Sequence, residues 1–299
     1  MGTRHLDQVM ARTLFTQEEL RDLYEQQRLS TGAIALRKGC HHSTVWQYLI
    51  LYDIPRRSVA EAKIKHPRKS FSGDPVEKSY LLGFRAGDLY VYKANYSDTS
   101  QTVTVACAST VPEQIALIRS LFEPYGAINL SEGKRQTVIT CYLDLSFSFL
   151  LEKDDRILPW VLSNRDNFAA YLAGYIDAEG CIQIKRHTGA AEVIIRSCDV
   201  NILKTCWTTL QESGIVCPPV YLVKPKGDRD ANGPLYRKDY WGLGIYRRES
   251  LCRLFSLVAP YMKHPKRRRD MLAAWENAEA RLGHRKGDDK ECQRAWSTL

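Results

Sequence analysis

Two stretches of the chain stay apolar and small for about six residues and then present an acid. Tyr171–Cys181, YLAGYIDAEGC, reaches Asp177 and Glu179, meets Gly180 and turns into the alternating run CIQIK. That pattern predicts a helix with Glu179 in its last turn, followed directly by a strand. Gly174 and Ala178 stand four apart, so one helix face is nearly bare backbone and open to close approach by another helix. Tyr80–Tyr90, YLLGFRAGDLY, is a weaker copy. Aligning Gly83 with Gly174 sets Phe84 opposite Tyr175 and Asp88 opposite Glu179, with small residues again at Gly83, Ala86 and Gly87. Packed side by side, the two helices would bring both carboxylates to the bottom of one seam. Either stretch alone also suits an ordinary core helix with a surface acid at its end. Two copies, each leading into an alternating strand, favour a duplicated unit.

The elements around the two motifs come in the same order. In residues 71–165 a motif helix Val76–Gly87 leads to strands at Leu89–Asn95 and Gln101–Ala108. A helix from Pro112 to about Phe122 follows. Strands at Ala127–Ser131 and Gln136–Asp144 come next, then closing helical segments from Phe147 to Leu162. In residues 166–285 the order recurs: motif helix, CIQIKR, AEVIIRS, helix Val200–Ser213, strands at Val220–Lys224 and Leu235–Tyr246, and helix Glu249–Met262. The turn-rich insert Pro225–Gly233 lengthens one hairpin. LPWVLSNR (Leu158–Arg165) matches APYMKHPK (Ala259–Lys266), which puts Arg165 and Lys266 in register. Each half reads αββαββα, an α+β unit with a four-stranded antiparallel sheet.

Residues 1–70 differ in kind. Thr16 with Glu19 is a capping-box pair opening a helix to about Arg28. Ser30 opens a second helix ending at Gly39, and Ser43 a third with Val45, Leu49 and Ile50 on one side. This small all-α pattern resembles a helix-turn-helix, whose third helix would put His42, Ser43, Thr44 and Gln47 toward bases and Arg56 and Arg57 against the DNA backbone. A helical cap with no DNA role is the bland alternative. The basic, turn-rich run Ile64–Asp74 reads as a linker, and residues 286–299 as a polar tail.

Composition narrows the partners. With 299 residues and 44% apolar content the chain can fill more than one core, and a net charge of +9 favours a polyanion. No apolar run is long enough to span a membrane, and MGTRHLDQVM is not a secretion signal. A cytoplasmic, nucleoid-associated location is expected, with an organellar origin left open. The nine cysteines are scattered without a C-x-x-C pair, so reduced, mostly buried thiols are expected and a structural zinc site is not.

YLAGYIDAEG looks like the signature of the LAGLIDADG homing endonucleases, and YLLGFRAGDL like the degenerate first copy in their single-chain, two-repeat members. Ala86 stands where the family has its first acid and Leu89 where it has the final glycine. The resemblance implies a saddle of two antiparallel sheets over a long asymmetric double-stranded DNA target, a monomer, and intron-homing nuclease activity. It assigns metal-binding acids to Asp88 and Glu179 and, more loosely, basic helpers near the centre to Arg165 and Lys266. Carboxylates at adjoining helix C-termini resist joint ionisation, which a hard cation such as Mg2+ or Mn2+ relieves. Even steps from each acid mark one strand face: Tyr90, Tyr92, Ala94 and Tyr96, then Gln183, Lys185 and His187. Arg196, Lys224, Lys226, Arg237 and Lys238 add further DNA contacts. A strand of about nine residues, roughly 30 Å, would follow about nine base pairs. A non-cleaving DNA-binding regulator and an RNA-binding intron maturase are the competing readings.

Overall fold

The computed structural model describes residues 14–57, 61, 64, 66–94, 99–229, 233 and 235–283. Tyr96, the insert tip at 230–232 and the tail at 286–299 lie outside them. The chain divides into two units, residues 1–65 and 66–299.

In the first unit, side-chain caps set the helix starts. The Thr16 hydroxyl accepts from Glu19 N at 3.1 Å and opens α1 (Gln17–Arg21), which widens into a π-type turn over Asp22–Gln26. Ser30 does the same for Ala33 N at 3.0 Å and opens α2 (Thr31–Lys38). Gly39, at φ +66°, ends that helix in the left-handed conformation that side chains resist. The third helix, α3 (His42–Leu51), is capped by the His41 ring rather than opened by Ser43. Its inward residues are Val45, Tyr48 and Leu49, packed with Phe15, Leu20 and Ile34. Ile50, expected inward, is 53% exposed, because the three- and four-residue spacing from Val45 selects Tyr48 and Leu49.

Arg57 also departs from expectation. Its guanidinium lies 4.2 Å over the Tyr24 ring and donates to the carbonyls of Arg28 and Leu29. It closes a turn of this unit instead of standing free for a phosphate. Arg57→Ala is expected to destabilise the unit by about 1.5–3 kcal/mol, the range for hydrogen bonds from a charged group. Thermal melting of the variant checks this.

The second unit is built on α4 (Pro75–Gly87), started by the Asp74 side chain, and α7 (Arg165–Glu179), started by Asn164. The two helices touch backbone to backbone. A Cβ on Gly83 would lie 1.9 Å from the Tyr171 carbonyl oxygen, and one on Gly174 would lie 2.2 Å from that of Tyr80. Four strands follow α4: β1 (Tyr90–Lys93), β2 (Val103–Ser109), β3 (Ala127–Glu132) and β4 (Thr137–Leu143), antiparallel in the order β1-β2-β4-β3. Helix α5 (Pro112–Phe122) connects β2 to β3, and a 3-10 turn (Leu145–Leu150) and the short α6 (Pro159–Leu162) lead into α7. After α7 the arrangement repeats. Strands β5 (Gly180–Ile184), β6 (Ala191–Ser197), β7 (Tyr221–Lys224) and β8 (Tyr240–Ile245) take the order β5-β6-β8-β7, with α8 (Val200–Glu212) between β6 and β7 and α9 (Arg248–Val258) after β8. The fold is α+β, with the same strand order in both halves. Val91, Val103, Val105, Ile139 and Cys141 of the first sheet and Val193, Ile195, Leu243 and Ile245 of the second join one core with Phe84, Phe122, Tyr175 and Phe255.

Two features differ from the sequence reading. The strands are shorter: β1 has 4 residues and β5 has 5, extended by single bonds from Ala94 N to Thr102 O and from Lys185 N to Ala190 O. Likewise β8 starts at Tyr240, and Leu235 makes only an isolated bridge to Arg229. The chain also continues past α9 into a 19-residue helix, α10 (Pro265–Gly283). Its apolar stripe is narrow, namely Met271, Ala274, Trp275 and Ala278, all buried. Asn277 and Arg281 tie it to the β5–β6 turn through Ala191 N and Thr188 O. No helix among the described residues is long and apolar enough to cross a membrane. The described cysteines are free thiols, and Cys107, Cys141, Cys206, Cys217 and Cys252 are buried.

Candidate metal centre and nucleic-acid interface

Bare glycines let α4 and α7 run together, so their C-terminal ends coincide. Asp88 is the C-cap of α4, and Glu179 is the last residue of α7. A Cβ on Gly87, next to Asp88, would lie 2.8 Å from Glu179 Cγ and 3.3 Å from its Oε1. The two acids therefore sit across one seam. Burial raises the Asp88 carboxyl to about 6, against the pull of the Gln114 amide and of Arg267. Burial raises Glu179 further, to about 7, the negative charge of Asp88 adding to the rise and Lys153 opposing it. Two carboxylates this close resist joint ionisation, so they titrate as a pair. Gln114 Nε2 donates to Asp88 Oδ2 at 2.7 Å, fixing that carboxylate's rotamer.

Asp177, the other acid of the motif, serves a different purpose. Its Oδ2 accepts from Tyr80 Oη at 2.8 Å, Lys263 N at 2.8 Å and His264 N at 3.0 Å. One buried carboxylate thereby ties α4, α7 and the start of α10 together. The basic side chains that act on the acids follow from that joint. Arg267, in the first turn of α10, draws down both Asp88 and Asp177, and its Nε is buried with no hydrogen-bond partner among the described residues. Lys153 pairs with Asp199 at 3.1 Å and offsets the proton affinity of Glu179.

Neither basic residue expected from the sequence is placed this way. Arg165 is the first and Glu179 the last residue of the 15-residue α7, so about 20 Å of helix separates them. Lys266 points along α10 to Asp270, 2.6 Å away, one helical turn on. Arg267, one position further, has the phase that faces the acids. Gln114, Lys153 and Asp199 carried no motif. Only the buried polar position of Gln114 in a first helical turn marks it, and that appears once the helix is folded.

On each sheet the face turned from the helices is the outer one. In the first sheet it carries Tyr90 and Tyr92, rings 5.2 Å apart, and by register Ala106, Thr104, Thr140 and Tyr142. None of these is charged. In the second sheet it carries Gln183, Glu192 and Arg196, with Gly242 and Gly244 opposite Arg196 and Ile194. Gln183, His187, Arg196, Arg237 and Lys238 are exposed, Lys226 also. Lys185 is paired with Glu192 at 2.7 Å, and Lys224 with Asp228 at 3.2 Å. On the separate N-terminal unit His42, Ser43 and Gln47 of α3 are exposed and Thr44 is half-buried. There Arg56, also exposed, lies 4.6 Å over the Trp46 ring.

A family model described as a LAGLIDADG-like domain matches residues 166–258. Those residues are a LAGLIDADG-like domain. The match spans α7 through α9, and residues 75–143 repeat the strand order of this domain within the same unit. Among solved structures, the chain is similar to the homing endonuclease I-DmoI in complex with DNA and Ca, at 16% identity over 67% of this chain and 98% of that one, with a TM-score of 0.47. It is also similar to the homing endonuclease I-WcaI bound to its DNA recognition sequence, at 15% identity, 66% and 86% coverage and a TM-score of 0.43. The meganuclease I-SmaMI bound to uncleaveable DNA gives 10% identity, 69% and 91% coverage and a TM-score of 0.41. No curated protein matches the chain.

At the foot of the LAGLIDADG-like helix the donors are two carboxylates, and no group of three His, Cys, Asp or Glu among the described residues could hold a metal. Two hard oxygen ligands at negative helix ends fit a divalent cation that completes its shell with water and phosphate oxygens. The raised carboxyls have a consequence for stability. Between about pH 4 and 7 the folded chain binds more protons at Asp88 and Glu179 than the unfolded chain does, so stability falls as pH rises through that window. Without divalent cation the melting temperature is expected to decline from about pH 5 to about pH 7.5. The double variant Asp88→Asn, Glu179→Gln is expected to flatten that decline.

Proposed function

We propose that the second unit cuts both strands of double-stranded DNA at one specific site by metal-dependent phosphodiester hydrolysis. Asp88 and Glu179 would hold the divalent cation, Mg2+ or Mn2+. The observation that carries this reading is the meeting of the two acids at adjoining helix ends, where burial raises both carboxyls. When bound there, such a cation would acidify a water and offset charge developing at phosphorus. The chain's own part is to hold both carboxylates fixed in a low-dielectric seam, Gln114 setting the Asp88 rotamer. Arg267 and Lys153 supply positive charge beside the acids, where a phosphate would add negative charge. Asp88 and Glu179 would each serve one DNA strand.

The outer faces of the two sheets would follow the major groove, and the exposed residues of α3 would add a helix-turn-helix contact from the N-terminal unit. Incubation with a randomised duplex library and Mg2+ tests this. The expected result is a pool of ends cut at one shared sequence. Protection of a sequence without cutting would point to a regulator, and neither cutting nor protection to an RNA-binding maturase; both outcomes contradict the proposal.

A further inference from the structure

The outer face of the second sheet holds an acid where a surface meant for DNA should repel one. Glu192 has a side chain only 3% exposed, yet it lies on the face turned from the core, directly across from Gln183 in the β5–β6 pairing. It is covered by its partners. Gln183 Nε2 donates to Glu192 Oε1 at 2.7 Å, and the Lys185 ammonium lies 2.7 Å from Oε2. The same ammonium stands 5.2 Å from the centre of the Tyr246 ring. The hydroxyl end of that ring in turn covers Gly244, where a Cβ would meet the hydroxyl at 2.0 Å. Bare backbone on β8, a tyrosine ring, a lysine, a buried glutamate and an exposed glutamine thus form one connected unit.

The chemistry of the glutamate gives this unit a direction. An ionised carboxylate only accepts hydrogen bonds, so the amide of Gln183 must turn its nitrogen toward Glu192. Its carbonyl oxygen is then held away from Glu192, with one N–H left over. An acceptor beside a donor is the pattern that pairs with adenine N6 and N7 in the major groove. A glutamine free to rotate could present either atom and would discriminate less. Guanine offers only acceptors on that edge, so it would find the fixed carbonyl oxygen repulsive.

Resting on the DNA-cutting function proposed above, we infer that Glu192 is a specificity-determining residue: it locks the Gln183 amide in the orientation that reads adenine at one position of the target. Glu192 itself touches no base. Lys185 neutralises it, so the sheet keeps an acid without repelling phosphate.

The test compares sequence logos from a randomised duplex selection for the wild-type protein, Glu192→Gln, Gln183→Ala and Lys185→Met. In the wild type one position should prefer adenine. Glu192→Gln leaves a side chain that can face Gln183 with either of its amide atoms, so adenine-over-guanine preference there should fall about tenfold. The other positions should keep theirs. Gln183→Ala, a change at an exposed residue, should erase the same preference even if Glu192→Gln folds poorly. Lys185→Met strips the buried carboxylate of its counter-charge, so it should weaken the same preference. An unchanged adenine preference in Gln183→Ala, or in a folded Glu192→Gln protein, would overturn the inference while leaving the nuclease reading intact. A wild-type selection with no shared sequence at all would remove the proposed function first, and this assignment with it.

Discussion

Glu179→Gln protein is expected to bind a selected duplex about as tightly as the wild type and to fail to make a double-strand break. The substitution keeps the shape of the side chain and removes the charge at the end of α7 that Asp88 repels in the apo state. If the carboxylate contributes several kcal/mol by holding a cation, cleavage of its strand should drop by a factor on the order of 10^3. Asp88→Asn should have a similar effect on the other strand. Gels that resolve the two strands separately would show each variant as a nicking enzyme or as inactive. Normal cutting by either variant would refute the assignment of that acid. Binding should be preserved because both acids sit in a seam between helices, away from the strand faces that would contact bases.

The second large effect concerns the seam itself. Gly83→Val and Gly174→Val should each cost about 3 kcal/mol or more, at or beyond the upper end of overpacking changes, because the added atoms meet backbone that cannot swing aside. The Gly83 Cβ would overlap the Tyr171 carbonyl oxygen at 1.9 Å and lie 2.8 Å from its carbon. At Gly174 the obstacles are Tyr80 O at 2.2 Å and Phe84 N at 2.9 Å. The helices could respond only by moving apart, which would separate Asp88 from Glu179. Urea denaturation should show the loss in stability, and any folded fraction should cut poorly. A Val variant of wild-type stability would mean that the backbones do not meet as described.

These two effects rest on what the sequence displays most openly. Small residues spaced four apart on two copies of one pattern announce a close helix pair, and the acids that end both copies then have nowhere to go but together. Caps at Thr16 and Ser30 were equally local, since each hydroxyl serves an amide three residues on. Other residues depend on the assembled fold. Lys266 and Arg267 are neighbours in sequence, and only the phase of α10 about its axis decides which one meets the acids. Arg165 was aligned by a repeat register that says nothing about which end of a helix it occupies. Lys153 reaches Glu179 from a loop of the other half, and Arg57 turns inward to donate to the carbonyls of Arg28 and Leu29. Gln183 and Lys185 read as free base contacts until the strand pairing sets Glu192 between them.

The joint use of Asp88 and Glu179 is tested most directly by the anomalous scattering of Mn2+ in crystals of the full chain with a duplex recovered from the library selection. The account predicts manganese density at the foot of α4 and α7, within ligand distance of a carboxylate oxygen of each acid, and none there in the double variant Asp88→Asn, Glu179→Gln. Manganese held elsewhere on the chain, with both acids free of it while the DNA is cut, would contradict it.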